Sequence, residues 1–329
     1  METVLSGIRS TGHLHLGNYF GALRNFVKIQ DTYKCFFFIA DLHSLTTHPH
    51  PDDFHANVRI ILSEYLASGL DPEKCCLYVQ SDVPEISELC VLLNMISYVG
   101  ELERTATFKE KVRQNPDNVN AGLLTYPVLM ASDILVHRAN WVPVGKDQEP
   151  HLEIARVLAR RFNNLYGVEL FPEPYAFNFG KDLIKVPGLD GSGKMGKSNN
   201  NGIYLIDDDN TITKKVMHAV TDSGPTEKNS TMSEPVANVF TLLRLVSDPK
   251  VVAQFEAAYA DCSIRYGDLK KQLATDICAT VAPIRERINS IHTDDAYLSK
   301  VVAQGREKAR ASASATLKLA QQAIGFKTF

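Results

Sequence analysis

Two hydrophobic periods alternate along the first two-thirds of this chain. Residues 35–40 (Cys-Phe-Phe-Phe-Ile-Ala) form an unbroken apolar run, as expected of a strand buried on both faces of a parallel sheet. Residues 76–80 read as a second buried strand, and residues 3–8 and 141–144 as two more β-rich segments. Between them the spacing becomes helical. In residues 16–30, Tyr19, Phe20, Leu23, Phe26 and Val27 share one face. Residues 52–68 and 148–162 also read as helices, the latter with Arg156, Arg160 and Arg161 towards its C-terminal end. Strand, loop, helix and strand again predicts an α/β fold, a Rossmann-like doubly wound parallel sheet. The character changes near Val186. Residues 187–202 are a Gly/Ser/Asn-rich loop with lysines, and the segments 211–219, 235–245, 251–260, 266–290 and 294–324 read as helices. No internal repeat is present.

Composition narrows the class. The 329 residues are 44% hydrophobic and 22% charged, which excludes disordered and collagen-like chains. No run approaches the roughly 18 apolar residues of a membrane helix. The start METVLSGI has no basic region followed by a long apolar stretch, so a cytoplasmic protein without membrane contact is expected. A net charge of −3 excludes a generic polyanion binder. Residues 300–329 nonetheless carry Lys300, Arg306, Lys308, Arg310, Lys318 and Lys327 against Glu307 alone. On charge alone this reads as a solvated helix face. Cysteines 35, 75, 76, 90, 262 and 278 have no CxxC or CxH spacing and read as reduced core thiols, with no zinc site. His48-Pro49-His50, with His43 and His55 nearby, reads as a proline-bounded loop and not as a metal site.

Four segments carry candidate chemistry. Residues 11–18 (Thr-Gly-His-Leu-His-Leu-Gly-Asn) join the first strand to the first helix, the ligand crevice of an open α/β sheet. Gly12 and Gly17 permit close approach of a phosphate or adenine, the helix N-terminus favours anionic charge, and His15 and Asn18 add donors. Residues 191–198 (Gly-Ser-Gly-Lys-Met-Gly-Lys-Ser) match the phosphate-loop pattern GxxxxGK[ST]. A true phosphate loop joins a strand directly to a helix, whereas Asn199-Asn200-Asn201-Gly202 cannot open a stable one. Lys194 and Lys197 on a glycine loop still suit the gripping of a polyphosphate. In residues 125–135, Tyr126, Met130 and Asp133 share a helix face, making an apolar slot with one acceptor. Burying Asp133 among Met130, Ile134 and Leu135 is expensive without a partner, so a planar apolar ligand with one N–H fits. Finally, residues 142–148 leave a strand for a helix through Gly145, where Asp147 and Gln148 suit a ribose hydroxyl or an ammonium group.

Together these segments resemble the class I aminoacyl-tRNA synthetases, and within them the bacterial-type tryptophanyl-tRNA synthetases. His15-Leu16-Gly17-Asn18 is similar to the HIGH signature and Lys194-Met195-Gly196-Lys197-Ser198 to KMSKS. SGIRSTGHLHLGNYFGAL, FIADLHSLT, GELERTATFKEK, GLLTYPVLMASDIL, PVGKDQEPHLE and AVTDSGPT extend the likeness along essentially the whole chain. The resemblance implies a homodimer that activates L-tryptophan with ATP and Mg²⁺ and then esterifies tRNA(Trp). It implies that Asp133 accepts the indole N–H, that Tyr126, Met130, His43 and Leu5 line the side-chain pocket, and that Gln148 and Tyr126 hold the polar end. Arg9, Ser10, Thr11, Gly17, Asn18, Gly145, Lys146, Asp147 and Val186 would line the ATP site with residues 194–198. His15, Asn18, Lys194, Lys197 and Ser198 would form the catalytic set, stabilising charge as the carboxylate attacks the α-phosphorus.

The same resemblance implies a domain division. Residues 1–186 with 291–329 would form the Rossmann catalytic domain, and 187–290 an inserted all-helical domain that reads the anticodon. Lys270, Lys271, Arg285, Arg287 and the C-terminal cations are candidates for backbone contacts with tRNA. Gly196 departs from KMSKS, which has serine there, and a modest catalytic cost is expected. Only Cys262 and Cys278 lie in the half where thermophilic relatives can hold an iron–sulfur cluster, so none is expected. The competing readings are a tyrosine-specific synthetase, a P-loop NTPase with a helix opening at Ser198, and a non-catalytic paralogue.

Overall fold

The computed structural model describes residues 1–145, 148–177, 179–180 and 184–327, without the Ser198 side chain. Five parallel strands form one sheet in the order β3-β2-β1-β4-β5. They are β1 (Thr3–Arg9), β2 (Lys34–Ala40), β3 (Cys76–Val79), β4 (Trp141–Val142) and β5 (Tyr175–Ala176). β1 and β2 run in register from Thr3↔Lys34 to Arg9↔Ala40, whereas β1 touches β4 only at Val4↔Trp141. The order reverses between β1 and β4, which opens a crevice beyond their carboxyl ends. Helical caps on both faces explain the unbroken apolar run of β2. Cys35, Phe37 and Ile39 point into one core, and Phe36, Phe38 and Ala40 into the other.

The first core continues from the sheet through Ile61 and Tyr65 of the Pro51–Ala67 helix to Leu269, Leu273, Ile277 and Val281 of the Tyr266–His292 helix. Arg59 donates to the His292 carbonyl where those two helices meet. The second core collects the helices Pro84–Asn94, Tyr126–Val136 and Glu149–Tyr166 and the Asp295–Ile324 helix. Several helices begin at or just before a proline (Pro51, Pro84, Pro127, Pro150, Pro235, Pro249), where the missing N–H costs nothing.

The Asp295–Ile324 helix lies against β3 so closely that a Cβ on Gly305 would come within 1.6 Å of the Leu77 carbonyl oxygen. The Gly305 carbonyl in turn accepts from the Cys76 thiol at 3.3 Å. The cations expected on this helix as a free solvated face are partly engaged. Arg310 pairs with Glu85 at 3.1 Å, and Lys308 donates to the Pro72 carbonyl at 2.9 Å. Four α-helices and one 3-10 turn between residues 84 and 124, and the short β5, go beyond the elements expected from periodicity.

Candidate active site

The site is built on the carboxyl ends of β1 and β2 and on the loop that follows β1. The helix after that loop is irregular: Leu16–Asn18 is α-helical, Tyr19–Leu23 is π-helical, and Arg24–Ile29 is α-helical again. Such π segments recur at functional sites. His15 caps its N-terminus reciprocally with Asn18. The Asn18 amide donates to His15 Nδ1 at 3.2 Å, and the His15 amide donates to Asn18 Oδ1 at 3.1 Å. Gly17 is required here, because a Cβ would lie 2.8 Å from the His15 ring. Burial, with the charges of Lys197 and Lys194 alongside, pulls the His15 imidazole down to about 4. It is therefore neutral at pH 7.

The lysine-bearing loop folds over this turn. Lys197 Nζ donates to the Gly12 carbonyl at 2.6 Å and to Thr11 Oγ1 at 3.4 Å. Burial pulls its ammonium down to about 8. The Met195 amide donates to the Val186 carbonyl at 2.8 Å, and the Met195 side chain is buried beside Gly17 and Gly202. Lys194 stays exposed. Asn201, named in the sequence only as a helix breaker, is the clasp of the loop. Its Oδ1 accepts from the Gly196 amide at 2.9 Å. Its Nδ2 donates to Asp190 Oδ1 at 3.0 Å, Ser192 Oγ at 3.0 Å and the Lys194 carbonyl at 3.2 Å.

After a single 3-10 turn at Lys197–Asn199, Asn200 takes a left-handed conformation with φ 48°. The chain then pairs with the first loop, the Leu16 amide donating to the Ile203 carbonyl and the Leu205 amide to the Leu14 carbonyl, each at 2.9 Å. No α-helix opens at Ser198, so the match to GxxxxGK[ST] is one of letters only. Among the described residues nothing lies within 4 Å of where a Gly196 Cβ would stand, and its φ of −155° suits any residue. Gly196→Ser should therefore fit without strain and stiffen the loop. The expected gain is about two- to fivefold in the amino-acid activation that the resemblance implies, equivalent to roughly 0.4–1 kcal/mol of lost loop entropy. Pyrophosphate exchange on the variant checks this, and a rate below that of the parent would refute it.

On the opposite side of β1 lies the buried slot. Asp133 is 1% exposed, and burial raises its carboxyl above the ordinary range. His43 Nε2 lies 2.8 Å from Asp133 Oδ2, and Gln80 Nε2 donates to Asp133 Oδ1 at 2.7 Å. Tyr126 stacks at a tilt on His43, with centroids 4.3 Å apart, and leans on His151 at 5.6 Å. His151 Nδ1 lies 2.9 Å from Gln148 Oε1, and its Nε2 lies 2.6 Å from Thr107 Oγ1. Met130 is half-buried on the same helix as Asp133, and Leu5 is buried in β1. Ser10 donates to Ser44 Oγ at 3.1 Å. The Gly145 carbonyl accepts the Gln148 amide at 2.9 Å. Lys146, Asp147 and the Ser198 side chain lie outside the described residues.

Among the described residues of the site, two side chains keep buried polar atoms without hydrogen-bond partners: His43 Nδ1, and Nε and Nη2 of Arg9. Arg9 ends β1, and its charge is felt both by Tyr126 in the slot and by Lys197 above the turn. The Arg9 atoms are donors, and buried donors of this kind are normally paired. Gln80, Asn201 and a buried Glu64 were not among the residues singled out from sequence. Gln80 directly follows β3, and a polar residue at a strand's carboxyl end was the available signal.

Residues 2–282 match the family described as "tRNA synthetases class I (W and Y)". A tryptophan–tRNA ligase of Porphyromonas gingivalis (strain ATCC BAA-308 / W83) is 63% identical over 327 residues, covering 99% of this chain and 100% of that protein. The chain belongs to the bacterial-type tryptophan–tRNA ligases. The corresponding Clostridium tetani (strain Massachusetts / E88) ligase is 42% identical, over 99% of this chain and 96% of its own. Among solved structures, the Campylobacter jejuni tryptophanyl-tRNA synthetase complexed with ADP and tryptophan is 34% identical. It superposes with a TM-score of 0.88 over 98% of this chain and 100% of that one. The class I synthetase fold expected from sequence is the fold found. Among the described residues, no group of three or more His, Cys, Asp or Glu side chains is arranged to hold a metal, and no helix is long and apolar enough to cross a membrane.

Proposed function

We propose that this tryptophan–tRNA ligase runs both half-reactions on the crevice between β1 and β4: L-tryptophan with ATP to tryptophanyl-adenylate and pyrophosphate, then transfer to tRNA(Trp). The observation that carries the reading is a sealed carboxylate, Asp133, held by two side-chain nitrogens at the base of an aromatic slot. Asp133 accepts the indole N–H, with Tyr126, Met130, His43 and Leu5 around the ring. Gln148 and Tyr126 take the ammonium end. The slot excludes tyrosine because a phenol hydroxyl there lacks the indole's N–H geometry and leaves buried polar atoms mispaired.

The first step forms a bond between a tryptophan carboxylate oxygen and the α-phosphorus and breaks the bond from that phosphorus to the bridging oxygen. The bond's electron pair leaves with pyrophosphate. No proton need move, so the protein's part is positioning and charge stabilisation. Arg9 through Thr11, Gly17, Asn18, Gly145, Lys146, Asp147 and Val186 line the nucleotide. His15, Lys194, Lys197 and Ser198 meet the phosphates. Mg²⁺ carried with ATP would supply further positive charge against the phosphates.

Residues 1–186 with 291–329 form the catalytic domain, and 187–290 the helical one that reads the anticodon. Exposed Lys271 and Arg287, with half-buried Lys270, suit the tRNA backbone. Arg285 is tied to Asp209 at 2.9 Å and is the weaker candidate. A second copy covers the apolar surface of Val91, Met95, Tyr98 and Val99, of which Met95 is 76% exposed, making a homodimer. The setting is cytoplasmic.

The test is exchange of pyrophosphate into ATP, with tryptophan and tyrosine run side by side. Exchange with tryptophan alone is expected, and exchange driven by tyrosine overturns the assignment of Asp133. The lowered Lys197 adds a pH dependence. An ammonium that titrates near 8 is charged below that pH and neutral above it, so kcat/KM for ATP should fall as pH rises through about 8. A profile flat to pH 10 would contradict the assignment of Lys197 to the phosphates.

A further inference from the structure

Glu64 lies near the end of the Pro51–Ala67 helix, fully buried at 0% exposure, outside every motif that marks the family. Its Oε2 accepts the Leu14 amide at 2.7 Å, and its Oε1 lies 2.7 Å from His13 Nδ1. These residues belong to the same short turn whose Gly12 carbonyl and Thr11 hydroxyl accept from Lys197. One turn is thus gripped from behind by a carboxylate and from the front by an ammonium. A carboxylate without solvent is tolerated only where bonds and opposite charge compensate it.

We propose that Glu64 is the positioning residue and counter-charge of Lys197: it shapes the turn on which the lysine docks and keeps the ammonium charged until phosphate arrives. The inference rests on the reading of Lys197 as a phosphate ligand. Lys197 feels the charges of Glu64 from its helix and Arg9 from the end of β1, and His15 of the turn feels Lys197 and Lys194. His292 stands beyond, beside Ser63 and Arg59. Glu64 is the acid among these groups. Burial and Arg9 push the lysine towards neutrality, and Glu64 opposes them.

Glu64→Gln keeps the shape and can keep both hydrogen bonds, but removes the charge. It should move the alkaline limb of kcat/KM for ATP down by about one pH unit, with KM for tryptophan unchanged. Competitive acetylation of Lys197, followed by mass spectrometry without nucleotide, should shift by the same amount. Glu64→Asp keeps the charge but draws it back from the lysine, so it should lower kcat and move the lysine's titration down by less than Glu64→Gln does. An unmoved lysine in Glu64→Gln overturns the proposal. If that variant does not fold, Glu64→Asp decides: a lowered titration supports the counter-charge and an unshifted one refutes it. A shifted titration in a protein without exchange activity would uphold the counter-charge and instead remove Lys197 from the phosphate site.

Discussion

Asp133→Ala should reduce kcat/KM for tryptophan by roughly 10³-fold or more, by analogy with sites whose selectivity rests on one buried hydrogen bond. The loss has two parts. The indole N–H is left without an acceptor, and the nitrogens of His43 and Gln80 that now meet the carboxylate are left facing a cavity. Each stranded buried group costs about 1–3 kcal/mol, so the free protein should also lose stability. Asp133→Asn is the sharper variant. Its oxygen can still accept from Gln80 and its amide nitrogen can donate to the other tautomer of His43, so it keeps the slot filled and removes the charge. Exchange kinetics and urea unfolding on both variants check this. A tryptophan kcat/KM within tenfold of the parent, with an unchanged preference over tyrosine, would remove Asp133 from its role.

The largest effect on stability is expected far from the chemistry, at Gly305. A Cβ there would meet the Leu77 carbonyl oxygen at 1.6 Å and its carbon at 2.7 Å, both backbone atoms of the edge strand β3. Neither side can yield without the Asp295–Ile324 helix lifting off the sheet. Lifting exposes Ala309, Ala313 and Leu317 and breaks the Cys76–Gly305 hydrogen bond. Gly305→Leu should cost about 3 kcal/mol or more. The midpoint of urea unfolding reads the loss, and a midpoint equal to the parent's would show that the helix seats otherwise. Gly305→Ala should cost less but have the same sign.

Much of this architecture was legible in the amino acids because periodicity is a local property. The apolar run at 35–40 required burial on two faces, and the sheet supplies two cores for it. Residues 84–124 gave no such reading. Their helices are short and carry exposed Val91, Met95, Tyr98 and Val99, which blurs the contrast between inside and outside. The candidate site followed the same division. Asp133 stood out as a charge among apolar neighbours, and Glu64, set in Ile61-Leu62-Ser63-Glu64-Tyr65-Leu66, gave the same signal unread. Gln80 and Asn201 act through partners 53 and 5–11 residues away, and pairings of that kind are not written in local spacing.

The reciprocal cap at His15 fixes more than the start of a helix. A backbone amide can only donate, so the bond from the Asn18 amide makes His15 Nδ1 an acceptor. The neutral ring must then carry its hydrogen on Nε2. With the imidazole lowered to about 4, that single tautomer persists over the whole physiological range. The residue at the head of this motif therefore offers one oriented, uncharged N–H at any pH where the protein works, and leaves the burden of positive charge, and sensitivity to alkali, to the lysines across the turn.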